Sequence, residues 1–291
     1  MPERFLSQAA LAELAGIPAV SRWVTNRGQR IHVLDYGGDL PPAVFIAGIT
    51  SPAVTLDFVV RRVRDQVRPI VVDLRGRGLS DDGVLHSLES HADDLNAVIG
   101  GLKLDRPLMV GHSMGAGIVA FLAAASADAA RGSILVDPPL SGPRSGPYPT
   151  PLAVFETQLD EAYAGTTAQR VAEHWPRWPV AEQRLRALWL SSCGREAVAA
   201  THRSFESVEF APIWQSLDAR TSLIYGEESA VVSGEAVGRL ALQNPSPAIV
   251  KVAGSGHMVF WDSPEGGLAA LRDETARLLS AETSTMPKGT I

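Results

Sequence analysis

Long apolar runs are missing from this chain: no stretch approaches the roughly 20 consecutive apolar residues of a membrane-spanning helix. Cysteine is almost absent too. A single Cys193 excludes an internal disulfide and a cysteine-based zinc site, and a reducing cytoplasm is the expected setting. Positive charge is not in surplus. The 26 Lys and Arg stand against 32 Asp and Glu, a net charge of -6 without a basic cluster, which argues against a nucleic-acid surface. No internal repeat, heptad pattern or low-complexity block is found. The opening MPERFLSQAALAELAG carries early charges and no continuous apolar core, so it reads as an amphipathic helix over 3–15 and not as a signal peptide.

What is present suits one large α/β domain or two small ones: 291 residues, 45% hydrophobic and 20% charged. SRWVTNRGQRIHVLDYGG (21–38) reads as a strand pair turning around Asn26–Gly28. AVFIAG (43–48), RPIVVDLRG (68–76), PLMVGHS (107–113), GSILVD (132–137), TSLIYG (221–226) and AIVKVAG (248–254) follow as short buried strands. Helical patterns lie between them at 88–102, 114–127, 233–243 and 264–279. The alternation predicts a mostly parallel, eight-stranded sheet covered by helices on both faces. Residues 139–215 break the rhythm with PPLSGPRSGPYPTP and then Trp175, Trp178, Trp189 and Trp214. They are expected to form a helical cap, its tryptophans packing mainly on one another. The core is then 1–138 and 216–280, and 281–291 is a frayed tail.

LMVGHSMGAGIVAF sets Gly111-His112-Ser113-Met114-Gly115 between a strand and a helix of small residues. G-x-S-x-G in that context makes a turn sharp enough to expose a serine nucleophile, Ser113, with the N–H of Met114 at a helix start facing a developing oxyanion. A second oxyanion donor is expected from FIAGITSP, at Ile49, with the hydroxyls of Thr50 and Ser51 near the substrate. A serine needs a base, and seven histidines compete. His32 sits in an upstream strand, His86 and His91 flank a polar helix start and are expected to be solvated, and His174 and His202 fall in the cap. His112 lies inside the turn. His257 follows the last strand in a Gly-Ser-Gly loop.

AGITSP, DLRGRGLS, GHSMG and GSGHM together resemble the α/β-hydrolase superfamily over roughly residues 20 to 280. That resemblance implies that His257, late in the chain, is the base. It also implies that DLRGRGLS is a rigid turn whose arginines pack or pair. Ala47 departs from the pattern, since many members carry His before the oxyanion-loop glycine. More narrowly, AGITSPAVTLDFVVRRV, LVDPPLSGP with YP after it, and GHMVFWD resemble the N-formylmaleamate deformylases and, more loosely, the acylaminomethylene-succinate amidohydrolases.

Most α/β-hydrolases carry the third triad member as an aspartate after the seventh strand. Here LIYGEESAVVSG has Ser229 at that position, with Glu227 and Glu228 just before it. Asp137, closing the sixth strand in VDPP, is favoured over either glutamate, because the deformylase resemblance implies an acid there. That resemblance further implies amide hydrolysis through an acyl-enzyme, on a small anionic N-acyl or N-formyl amide, by a monomer or homodimer needing no cofactor and no metal. The substrate carboxylate calls for a cation. Arg144 and Arg177 are the candidates in the cap, and Trp261, shortly after His257, is expected to line the pocket. A carboxylesterase or a C–C bond hydrolase would use the same Ser113 and His257. A ligand receptor on the same fold would not need an activated serine.

Overall fold

The computed structural model describes residues 4–126 and 128–283. Eight strands form one sheet: β1 (Val20–Asn26), β2 (Gln29–Asp35), β3 (Pro42–Ile46), β4 (Arg68–Val72), β5 (Leu108–His112), β6 (Gly132–Val136), β7 (Thr221–Gly226) and β8 (Ala248–Val252). Their order is β1-β2-β4-β3-β5-β6-β7-β8. β2 runs antiparallel to both β1 and β4, and every later pairing is parallel. The β1–β2 hairpin closes through Arg27 and Gly28, both at positive φ (49° and 86°), the left-handed pair that a two-residue turn of this twist requires. Several strands end earlier than their apolar runs suggested. β4 stops at Val72, β5 at His112 and β6 at Val136, so the polar residues behind them leave the sheet and are free to turn.

Twelve helices are described. α1 (Gln8–Ala15), α2 (Asp57–Val60), α3 (Leu88–Gly101) and α4 (Met114–Ala125) precede β6. α5 (Leu152–Tyr163), α6 (Ala168–His174), α7 (Val180–Trp189), α8 (Arg195–Glu206) and α9 (Phe210–Gln215) lie between β6 and β7. α10 (Gly234–Gln243), α11 (Val259–Asp262) and α12 (Pro264–Thr283) complete the chain. α1 starts at Gln8 rather than residue 3, because the Ser7 side chain accepts from the N–H of Ala10 and caps it there. The tail expected over 281–291 lies outside the described residues from 284 onward, and 281–283 continue α12.

Burial on both faces explains the apolar strands. On β3, Val44 and Ile46 join a core with α3 and α4, while Phe45 between them joins a second core with α12 on the opposite face. The stretch expected to be a cap divides in two. Phe155, Gln158, Trp175, Trp178 and Arg186, from α5 to α7, line a cavity over the carboxyl ends of the strands. Phe205, Phe210 and Trp214, on α8 and α9, instead join the core beside α4, and Trp214 Nε1 donates to the Leu240 carbonyl at 2.8 Å. Among the described residues no helix is long and apolar enough to cross a membrane.

Candidate active site

Ser113 occupies the single position between β5 and α4, at φ 54° and ψ -122°. The neighbouring glycines permit this. A Cβ on Gly111 would stand 2.3 Å from the Gly115 carbonyl, and one on Gly115 would stand 2.3 Å from the Ile46 oxygen. Only a strand end and a helix start without side chains at these two positions lie this close together. His257 Nε2 is 2.9 Å from Ser113 Oγ, and its Nδ1 is 2.7 Å from Asp137 Oδ2. A carboxylate only accepts, so Nδ1 carries the hydrogen and Nε2 is left to accept from the serine hydroxyl.

Asp137 is fully buried one residue past β6, also at positive φ, 48°. Oδ1 accepts from the Gly226 N–H at 3.1 Å, and Oδ2 from the Ser229 hydroxyl at 2.6 Å. Ser229 Oγ in turn accepts from the N–H groups of Val231 and Val232 at 3.0 and 3.1 Å. The two glutamates beside it face elsewhere. Glu227 pairs with Lys251 at 2.7 Å, which holds its carboxyl below the usual range, and Glu228 pairs with Arg177 at 2.9 Å. The structure therefore brings Asp137, and neither glutamate, to His257.

Ile49 follows Gly48, whose added Cβ would sit 3.5 Å from Ser113 Cβ, so the loop passes directly over the serine. Among the described residues no protein acceptor takes the N–H of Ile49 or of Met114. The Ile49 carbonyl accepts from Arg77 Nε at 3.0 Å. Arg77 is fully buried, which draws its pKa down to about 10, and it also donates to Thr201 Oγ1 at 3.1 Å. The DLRGRGLS turn thus orients the Ile49 peptide as well as packing. Asp73 anchors the turn on the N–H groups of Ala53 and Leu79 and on His32 Nδ1, and Arg75 pairs with Asp94.

Above Ser113 opens a cavity lined by Thr50, Ser51, Tyr148, Trp175, Trp178 and Arg186, among others. Arg186 is 6% exposed. It donates to the Thr50 carbonyl and hydroxyl, both at 3.3 Å, and to Gln158 Oε1 at 2.9 Å, and it lies 5.8 Å from the Trp178 ring. Among the described residues it has no carboxylate partner, and burial draws its pKa down to about 10. Neither arginine expected here reaches the cavity. Arg144 is a solvated arginine beside Glu209. Arg177 is spent on Glu228, Asp262 and the Gly254 carbonyl, outside the His257 loop. Arg186 had a readable signal: Gln183, Arg186 and Trp189 recur every three residues and form the buried stripe of α7.

Trp261 is a further correction. It stands behind the site, 5.3 Å from the His112 ring and stacked 5.4 Å from Trp178. Trp178 in turn stacks on Trp175 at 5.0 Å, so two of the cap tryptophans form a cavity wall rather than packing only within the cap. Burial and the nearby His257 push His112 down to about 3, so it is neutral. Its Nε2–H donates to the His257 carbonyl at 3.1 Å and steadies that loop. His86 and His91, expected to be solvated, are buried, and burial draws both below the usual histidine range. Glu182, one turn before Arg186, lines a small neighbouring cavity with Ser51, Trp178 and Trp261. Burial, and then the Asp57 charge, push its carboxyl up to about 7. Among the described residues no group of three His, Cys, Asp or Glu side chains is arranged to hold a metal ion.

A mostly parallel sheet with a serine at a strand-to-helix turn, linked through a late histidine to a buried acid, is the architecture of an α/β-hydrolase. The profile of the Alpha/beta hydrolase family matches residues 43–271, and the chain belongs to that family. It is 31% identical over 252 residues to the N-formylmaleamate deformylase of Pseudomonas putida, spanning 86% of this chain and 94% of that one. To the 2-(acetamidomethylene)succinate hydrolase of Mesorhizobium japonicum it is 28% identical over 278 residues, 89% and 96% of the two chains. The crystal structure of an N-formylmaleamic acid deformylase from Pseudomonas putida superposes with a TM-score of 0.81 at 32% identity, covering 87% of this chain and all of that one.

Proposed function

We propose that the protein hydrolyses the C–N bond of a small acidic N-acyl amide, with an N-formylmaleamate-like compound as the substrate that fits best. The observation that carries this is the pairing, in one cavity, of the Ser113–His257–Asp137 chain with Arg186, a buried cation free of any carboxylate among the described residues. A desolvated guanidinium facing a cavity favours a carboxylate ligand, and its planar fork suits bidentate binding. The relationship to an enzyme named for N-formylmaleamate and to one named for an acetamidomethylene-succinate supports the same class.

In this mechanism His257 takes the Ser113 proton as Oγ attacks the acyl carbon. The N–H groups of Ile49 and Met114 hold the oxyanion, and their freedom from protein acceptors suits that role. The protonated imidazole, held by Asp137, then gives its proton to the leaving nitrogen, and the nitrogen-bearing fragment departs. Water repeats the sequence on the acyl-enzyme, and Ser113 regains its proton. A formyl group leaves as formate and the amide fragment as maleamate. A cytoplasmic monomer or homodimer belongs to this reading.

The test is a substrate panel with product detection: formate from N-formylmaleamate, acetate from acetamidomethylene-succinate, p-nitrophenol from simple esters, and cleavage of dienone ring-fission products. Formate or acetate release with kcat/KM well above that for the esters supports the proposal. Ester or dienone turnover with inert acidic amides would overturn it in favour of a carboxylesterase or a C–C bond hydrolase.

A further inference from the structure

Tyr148 lies between β6 and α5, is 5% exposed, and lines the cavity with Ser113 and His257. Its phenol has the Ser113 hydroxyl as a polar neighbour. Three rings cage it: Phe155 at 6.2 Å, Phe205 edge-on at 6.1 Å and His202 at 4.8 Å. His202 is itself tied by Nε2 to the Thr150 carbonyl at 2.9 Å, and the Tyr148 N–H donates to Glu206 at 3.4 Å. The ring is therefore fixed from several sides within the cavity that also holds Ser113 and His257. Burial raises the phenol's pKa well above the ordinary range, with Ser113 and the Arg77 charge only partly opposing, so the O–H is retained at working pH.

Ser113 gives its hydrogen to His257 Nε2, which leaves lone pairs on Oγ unused. We propose that Tyr148 is a catalytic residue whose O–H donates to Ser113 Oγ and stabilises the negative charge on that oxygen during both attack and expulsion. The inference rests on Ser113 being the nucleophile. In the attack the Oγ–H bond breaks, its proton passes to His257, the Oγ–C bond forms and the carbonyl electron pair moves onto oxygen. In deacylation the Oγ–C pair returns to Oγ, which takes a proton from His257. The Tyr148 O–H stays intact throughout and only donates. A donor on a ring held in place beforehand costs little reorganisation as that charge appears.

Tyr148→Phe removes the donor and keeps the ring. Two rates read the result without any commitment to the natural substrate: labelling of Ser113 by a fluorophosphonate, and decay of the acetyl-enzyme formed from p-nitrophenyl acetate. Both should fall roughly 10- to 100-fold, the loss of one hydrogen bond to a charged oxygen. KM for the amide that is turned over should stay within about twofold, as expected for an interaction made only on the way through the reaction. Wild-type values for either rate would overturn the proposal. Phe205→Leu, which loosens the same cage and leaves the phenol, separates chemistry from packing: if it slows labelling as much as Tyr148→Phe does, the role is structural and the proposal fails. No labelling of the unmodified enzyme, with Ser113→Ala as the blank, would sink the Ser113 reading and this proposal with it.

Discussion

Ser229 donates its hydroxyl hydrogen to Asp137 Oδ2, the same carboxylate oxygen that accepts from His257 Nδ1. Ser229 stands after β7, where the family resemblance implies an acid, and it supports instead the carboxylate that follows the neighbouring strand, β6. Ser229 is itself held by two backbone N–H groups, so its lone pairs are occupied and its hydrogen points at Asp137. Ser229→Ala should lower kcat about 10-fold with little change in KM, the value of one hydrogen bond to a charged group. Steady-state kinetics beside a melting curve check it, and an unchanged kcat would show that Asp137 needs no help.

Asp137→Asn should cut turnover by on the order of 10⁴, as expected when the base loses its orienting carboxylate. Glu227→Gln and Glu228→Gln should keep nearly full activity, because their partners are Lys251 and Arg177. A glutamate variant that abolishes turnover while Asp137→Asn retains it would reverse the assignment. The double change Asp137→Asn with Ser229→Asp should recover part of the loss, since it returns a carboxylate to the adjacent loop.

Arg186→Met should lower kcat/KM for acidic amides roughly 10- to 100-fold, mainly through KM, and leave neutral p-nitrophenyl esters much less affected. The contrast between the two substrates removes the general cost of disturbing Thr50 and Gln158, which Arg186 also holds. Equal losses on both substrates would leave it a purely structural arginine.

Glu182 gives the fold a pH dependence. Its carboxyl is raised from 4.5 to about 7, so between these values the native state keeps a proton that the unfolded chain has lost. Stability from this group therefore falls as pH rises through that window and stays low above it. Glu182→Gln removes the ionisation, and its gain in Tm over the parent should be larger at pH 8 than at pH 5. Thermal melts at the two values test it, and the opposite ordering would contradict the raised pKa.

The elements were legible because buried parallel strands write themselves as short β-branched runs, Ser113 because a turn this tight needs glycines on both sides, and His257 because the family resemblance points to a histidine in the loop after the last strand. Asp137 was reached through the missing aspartate at Ser229 together with the deformylase resemblance of VDPP. The cations were misread for a physical reason. Arg144 and Arg177 sit in proline-rich stretches that look like a pocket rim, but local acids had already claimed them. Arg186 hides inside a polar helix, and its inward stripe makes sense only once α7 has been laid over the strand ends. Trp261 was placed by its nearness to His257 in sequence, whereas the turn into α11 sends it behind His112.

Ser113 and Asp137 end adjacent strands, and each is a non-glycine residue at positive φ. Such backbone costs on the order of 1–3 kcal/mol per residue, and here it falls on two residues whose side chains would serve as nucleophile and acid. Glycine at Ser113 would relax the chain while emptying the site, whereas at Asp137 it would also orphan the buried donors of Gly226, Ser229 and His257. A selection for thermal robustness alone should therefore drift toward Ser113→Gly, which makes this strand end the place where durability and turnover compete most directly in this protein.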